Sequence, residues 1–150
     1  MKTTIFKTDE QSLAAASALL QQGEVVAFPT ETVYGLGADA TNEAAVQKVF
    51  TAKGRPSDNP LIMTVADESQ LDDFVVISEA AKTLMAAFWP GSLTIILPIK
   101  PGRVGMIVTG GLQTVAFRLP DNEAARQLIR VAGVPIVGPS ANISGKPSPT

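Results

Sequence analysis

The 150-residue chain contains no cysteine and no histidine. These absences exclude disulfides, thiol nucleophiles, imidazole acid–base chemistry and the usual zinc sites. No metal ligand is assigned, and any ion must be hard and oxygen-bound, which suits Mg²⁺ arriving with substrate phosphates. No apolar run approaches the ~18 residues of a membrane span, and the N-terminus lacks the apolar core of a secretion signal. A cytoplasmic protein without membrane contact is expected. A strong excess of one charge is also missing. Twelve Lys and Arg stand against 14 Asp and Glu, a net charge of −2, so a broad nucleic-acid footprint is not expected, although a local basic patch is compatible with that average.

What is present is ordinary for one folded domain over residues 1–150: 45% hydrophobic and 17% charged residues are enough to build a core. Thr8-Asp9-Glu10-Gln11 predicts a capping box, followed by Leu13, Ala16, Leu19 and Leu20 at helical spacing up to Gly23. Val25 to Phe28 reads as a buried strand closed by Pro29. A second helix starts near Asn42, with Ala45, Val46, Val49 and Phe50 on one face and Gly54 beyond it. There follow a strand at Leu61 to Val65, a Ser78-capped helix stopping at Trp89-Pro90-Gly91, and strands at Leu93 to Ile99 and Thr114 to Arg118. A helix at Asn122 to Val131 and a strand at Val134 to Val137 complete the pattern. The alternation predicts an α/β sheet covered by helices. The Trp89-Pro90-Gly91 stop and the loop from Lys100 to Gly111 read as structural.

Three polar loops, each following an apolar run, hold most of the chemistry: FPTETVYGLG (Phe28 to Gly37), KGRPSDNPL (Lys53 to Leu61) and GPSANISGKPSPT (Gly138 to Thr150). Hydroxyls, amides and cations beside Gly and Pro let backbone N–H groups and short side chains converge on a charged, oxygen-rich ligand. In the first loop, Thr30, Thr32 and Tyr34 share one side of an extended segment, with Glu31 and Val33 on the other; a solvated strand-ending turn is the alternative. Gly35 to Ala40 also matches G-x-G-x-x-A, but Pro29 to Tyr34 separate it from the strand, so a dinucleotide oxidoreductase ranks last. Lys53 and Arg55 close the second helix, where they either serve its dipole or grip a polyphosphate. Read as a solvated loop cation, Lys53 should matter to turnover far more than to stability. The third loop offers Ser140, Asn142, Ser144 and Ser148 without a carboxylate; otherwise it is a flexible connector. Arg118 is a further candidate, or an exposed strand-end charge.

Taken in order, PTETVYGLG, K-x-R-P-x-x-N-P-L-I, V-T-G-G, F-R-L-P and P-S-A-N-x-S-G-x-P-S-P-T resemble the YrdC family of L-threonylcarbamoyladenylate synthases from about Phe6 to Thr150. The resemblance implies an open, twisted α/β sheet with a concave, positively charged substrate face. It implies an enzyme joining L-threonine, bicarbonate or CO2, and ATP into threonylcarbamoyl-AMP with release of pyrophosphate. A downstream transferase complex would pass the threonylcarbamoyl group to the tRNA adenosine next to the anticodon. By resemblance, Lys53, Arg55, Asn59, Ser140, Asn142 and Ser148 meet ATP, with Lys53, Arg55, Ser140 and Asn142 as the catalytic set. Thr32, Thr64, Arg118 and Gly138 meet L-threonine, Thr64 standing where many members carry His. Family domains continue past P-S-P-T, so a further C-terminal portion is expected. The competing class is a non-enzymatic RNA-binding module using Lys53, Arg55, Arg103 and Arg118 as a patch.

Overall fold

The four longer helices each begin where a side chain satisfies a backbone N–H group that has no partner within the helix. The computed structural model describes residues 2–56 and 58–150; Ser57 of the second polar loop lies outside them. The elements run α1 (Glu10–Gln21), β1 (Val26–Phe28), β2 (Gly35–Asp39), α2 (Glu43–Lys53), β3 (Ile62–Thr64), α3 (Glu79–Phe88), β4 (Ile95–Pro98), α4 (Met106–Thr109), β5 (Thr114–Arg118), α5 (Glu123–Ala132) and β6 (Ile136–Val137). A 3-10 turn at Glu68–Leu71 follows β3. Ser78 caps α3 as expected, and Asn42 and Asn122, expected as helix starts, cap α2 and α5, each accepting from the N–H three residues on at 3.0 to 3.1 Å. At α1 the cap is Asp9, which accepts from the Ser12 N–H at 2.7 Å. The expected cap, Thr8, is displaced because a carboxylate suits the positive end of the helix better than a hydroxyl does.

The six strands form one sheet in the order β1-β2-β6-β3-β5-β4. Alternating helices and strands usually signal parallel pairing, yet only β3 and β5 are parallel; every other neighbouring pair is antiparallel. The expected α/β class stands. The loop that the sequence suggested for Gly35 to Asp39 is instead β2, paired with β1 and β6. Its Gly-Leu-Gly-Ala-Asp sequence has little strand propensity, and its pairing comes from tertiary packing. A Cβ on Gly35 would lie 2.6 Å from the Phe28 ring, one on Gly37 3.1 Å, and one on Gly138 2.9 Å. Three glycines on neighbouring strands thus form the seat of one buried phenyl ring.

Residues alternate between two cores. Along β6, Ile136 packs with Ala16, Leu20, Leu128 and Ile129 of α1 and α5, whereas Val137 packs with Val46, Val49, Phe50 and Met85 of α2 and α3. The first pair of helices is pinned by Ser17 Oγ donating to Leu128 O at 3.0 Å and Gln21 Nε2 to Ala132 O at 3.1 Å. On β3 and β5, Met63, Val115 and Phe117 enter the α2/α3 core. Ile62, Thr64, Thr114, Ala116 and Arg118 therefore point to the α1/α5 side. Helix α1 packs over β1 and β2. Toward β5 and β4 the same face opens: Thr114, Ala116 and Arg118 are half-buried and Ile96 is 68% exposed. One half of a sheet face is thereby left uncovered.

Gly35→Ala should destabilise the fold by about 1–3 kcal/mol, the usual cost of overpacking. In urea unfolding, adding Phe28→Leu should recover part of that loss, because the two changes share one contact; purely additive midpoints would remove the ring from this role.

Candidate active site

The third loop is a built structure. It continues β6 alongside the first loop through a Gly35–Ser140 bridge. Further bonds run from Leu36 N to Pro139 O at 2.7 Å, Ala141 N to Tyr34 O at 2.8 Å and Tyr34 N to Pro149 O at 3.0 Å. At its centre is Asn142. Its Oδ1 accepts from Lys53 Nζ at 3.3 Å, from Ser148 Oγ at 3.3 Å and from Ser140 Oγ. Its Nδ2 donates to Ile143 O at 2.9 Å and Lys146 O at 2.7 Å. Both ends of the amide are in use.

Lys53 is the other half of this node. The last residue of α2, it is only 3% exposed. Its ammonium donates to Ser140 O at 2.6 Å and Asn142 O at 2.8 Å as well as to the Asn142 amide. The Ser144 N–H returns a bond to Lys53 O at 2.8 Å. Burial, and after it the charge of Arg55, push the Lys53 pKa below the usual lysine value. The expectation of a solvated loop cation is therefore corrected. The third loop folds over the end of α2, and three carbonyl acceptors replace water around the charge.

A second node gathers around Arg118, at the end of β5 and in register with Thr64 of β3. Arg118 Nη2 bonds Glu31 Oε1 and lies 3.3 Å from Thr32 Oγ1, and its Nε donates to Gly91 O at 3.4 Å. Desolvation lowers the guanidinium pKa, but an arginine stays charged. Thr64 is buried beside Gly138, where a Cβ would come within 2.7 Å of the Thr64 hydroxyl. The first loop is bent, correcting the extended geometry that the spacing suggested. Thr30 Oγ1 accepts from Thr32 N at 3.1 Å and donates to Val33 O at 2.6 Å. That turn brings Glu31 and Thr32 to the same guanidinium.

Gly138 and Ser140 lie two residues apart, so the nodes share one strand extension; Arg118 borders the uncovered sheet face, whereas Lys53 ends a helix of the opposite core. Arg55 and Asn59 occupy the turn between α2 and β3. There Arg55 donates to Pro60 O at 2.7 Å, its Nε is buried with no partner among the described residues, and Asn59 is exposed. Helix α4, before β5, supports this turn through Leu61 N to Val108 O at 2.8 Å. A separate open cleft of about 610 Å³, lined by residues including Trp89, Leu119, Arg126 and Arg130, contains none of the candidate residues. Its arginines are paired with Glu123 and Asp67. Among the described residues, no group of three or more His, Cys, Asp and Glu is arranged to hold a metal ion.

Two alternatives lose their footing. A basic RNA-binding patch needs Lys53 and Arg118 in solvent, yet one is buried and the other paired. The glycine fingerprint lies inside β2, where Gly35 and Gly37 accommodate Phe28 and do not form a strand-to-helix turn.

With that geometry in hand, the model of the family Sua5_yciO_yrdC, described as telomere recombination, matches residues 18–150. The chain belongs to this family. It is 60% identical over 149 residues to the threonylcarbamoyl-AMP synthase of Bacillus subtilis (strain 168), covering 99% of this chain and 43% of that protein. It is 52% identical to the enzyme of the same name from Pyrococcus abyssi, covering 96% of this chain and 42% of that one. A crystal structure of P. abyssi Sua5 complexed with L-threonine superposes with a TM-score of 0.92 at 52% identity, over 95% of this chain and 42% of that chain. The chain thus spans about two fifths of the length of these relatives.

Within the Sua5/YciO/YrdC fold, the sequence pointed to the loops but missed Glu31. This is the only carboxylate among the hydroxyls and glycines of the first loop, and its one visible signal is that isolation. The burial of Lys53 had no local signal at all.

Lys53→Ala should lower stability by about 1–3 kcal/mol, since it removes the ammonium that gathers three oxygens and leaves Asn142 O without a donor. It should also speed proteolysis within 140–148. An unchanged melting temperature and cleavage rate would return Lys53 to the role of a solvated cation.

Proposed function

We propose that this chain forms L-threonylcarbamoyl-AMP from L-threonine, bicarbonate or CO2, and ATP, with release of pyrophosphate. The observation that carries this reading is the joining of two nodes through one strand extension that runs from Gly138 to Ser140. A hydroxyl and amide loop without carboxylates lies beside Lys53, and a half-buried Arg118 lies beside Thr32 and Thr64. The likeness to P. abyssi Sua5 complexed with L-threonine supports it.

L-Threonine binds at Arg118, Thr32, Thr64 and Gly138. The guanidinium takes the carboxylate, and the hydroxyls and the Gly138 backbone take the remaining polar groups. The amine adds to CO2, losing a proton to give a carbamate. A carbamate oxygen then attacks the α-phosphorus of ATP as the bond to the β-phosphate oxygen breaks and pyrophosphate leaves. Such chemistry requires alignment and charge neutralisation more than a protein nucleophile, which suits a chain without His or Cys. Arg55, Asn59 and Ser148 hold the nucleotide, and the Arg55 Nε, without a partner among the described residues, is a donor that a phosphate oxygen would satisfy. Ser140 and Asn142 orient the phosphates, and Lys53 acts by its charge and by fixing that loop. Mg²⁺ would be held by the nucleotide's own phosphate oxygens and water, not by carboxylates of this chain, and would supply charge neutralisation. The product feeds the threonylcarbamoyl transfer to tRNA in the cytoplasm. No described helix is long and apolar enough to cross a membrane.

Pyrophosphate release from MgATP and bicarbonate should depend on L-threonine, with threonylcarbamoyl-AMP identified by mass spectrometry. Arg55→Ala should raise the ATP KM about tenfold or more, as loss of a charged phosphate contact does. Release that is indifferent to threonine would overturn the proposal.

A further inference from the structure

Glu31 has more partners than any other side-chain carboxylate near the open face, and the reaction outlined above gives it no task. Its Oε1 bonds Arg118 and lies 3.4 Å from Ser92 Oγ; its Oε2 accepts from the Asp121 N–H at 2.7 Å. One carboxylate therefore ties the first loop to the end of β5, to the turn after α3 and to the segment that leads into α5. The Glu31 and Arg118 side chains are 23% and 18% exposed, so solvent screens the pair only in part.

The cation consequently arrives at the substrate face already held. Nη2 is shared between Glu31 and Thr32 and Nε is spent on Gly91 O. Nη1 makes no hydrogen bond to another described residue. A guanidinium fixed on two nitrogens loses less freedom when it takes up an anion on the third. Glu31 also has a drawback, since a carboxylate beside the arginine weakens its pull on a second anion. The arrangement therefore favours a ligand that needs one well-aimed charge-assisted bond over one that brings several negative charges, such as a polyphosphate.

We propose that Glu31 is a positioning residue that aims Arg118 and Thr32 at the amino-acid substrate and keeps the nucleotide phosphates off that arginine. This rests on the function proposed above and adds a specificity element to it.

The test uses the full chain with Glu31→Ala and Glu31→Gln. Glu31→Ala should raise the L-threonine KM about tenfold while the ATP KM stays within about twofold, because the lost interaction serves one subsite. Glu31→Gln, able to keep the Asp121 bond, should recover part of that loss. A second readout needs no substrate: the Arg118 guanidinium should rotate slowly by nitrogen NMR in the unmutated chain and faster in Glu31→Ala. Equal changes in both KM values, or unaltered Arg118 rotation, would overturn the assignment. Slowed rotation in a chain that binds no L-threonine would instead defeat the proposed function and, with it, the substrate part of this inference.

Discussion

A buried ammonium cannot stay charged in a protein interior unless oxygen atoms replace its water, and the geometry around the substrate face follows from that constraint. Lys53 ends α2 beneath the third loop and draws Ser140 O, Asn142 O and the Asn142 amide onto one nitrogen. The loop that accepts these bonds must be free of bulky side chains and able to turn its carbonyls inward, which accounts for its Ser, Ala, Asn and Gly content. Once held, it ladders with Tyr34 to Leu36 and so fixes the first loop. A single desolvated cation thus orders two of the three polar loops.

The second organising element is steric. Phe28 can be buried against the sheet only because Gly35, Gly37 and Gly138 lack side chains. Gly138 meets the ring and the Thr64 hydroxyl at once, so core packing and the floor of the site share one residue. Glycines here set how closely a ring can approach the backbone.

Much of this could be read from the chain. The cap at Ser78, the helix starts at Asn42 and Asn122 and the span of β5 were legible because local signals and tertiary packing agree there. So was the convergence of polar loops, since each directly follows a buried strand. Strand β2 was hidden because its glycines have weak intrinsic preference and earn their place through a ring seven or more residues back in the chain. The antiparallel arrangement was hidden because element order does not reveal the direction in which β6 inserts between β2 and β3. The pairing of Glu31 with Arg118 and the burial of Lys53 join positions 87 or more residues apart, a separation over which spacing has no reach.

The most direct measurement is an amide chemical-shift titration of the nitrogen-15-labelled chain with L-threonine, then with MgATP. A single composite site moves Glu31 to Tyr34, Arg55, Asn59, Arg118 and Gly138 to Ser148 in one saturable process, with the two ligands perturbing overlapping sets. Shifts confined to the cleft around Ala66, Arg126 and Arg130, or loops that stay unperturbed at saturating ligand, would contradict it.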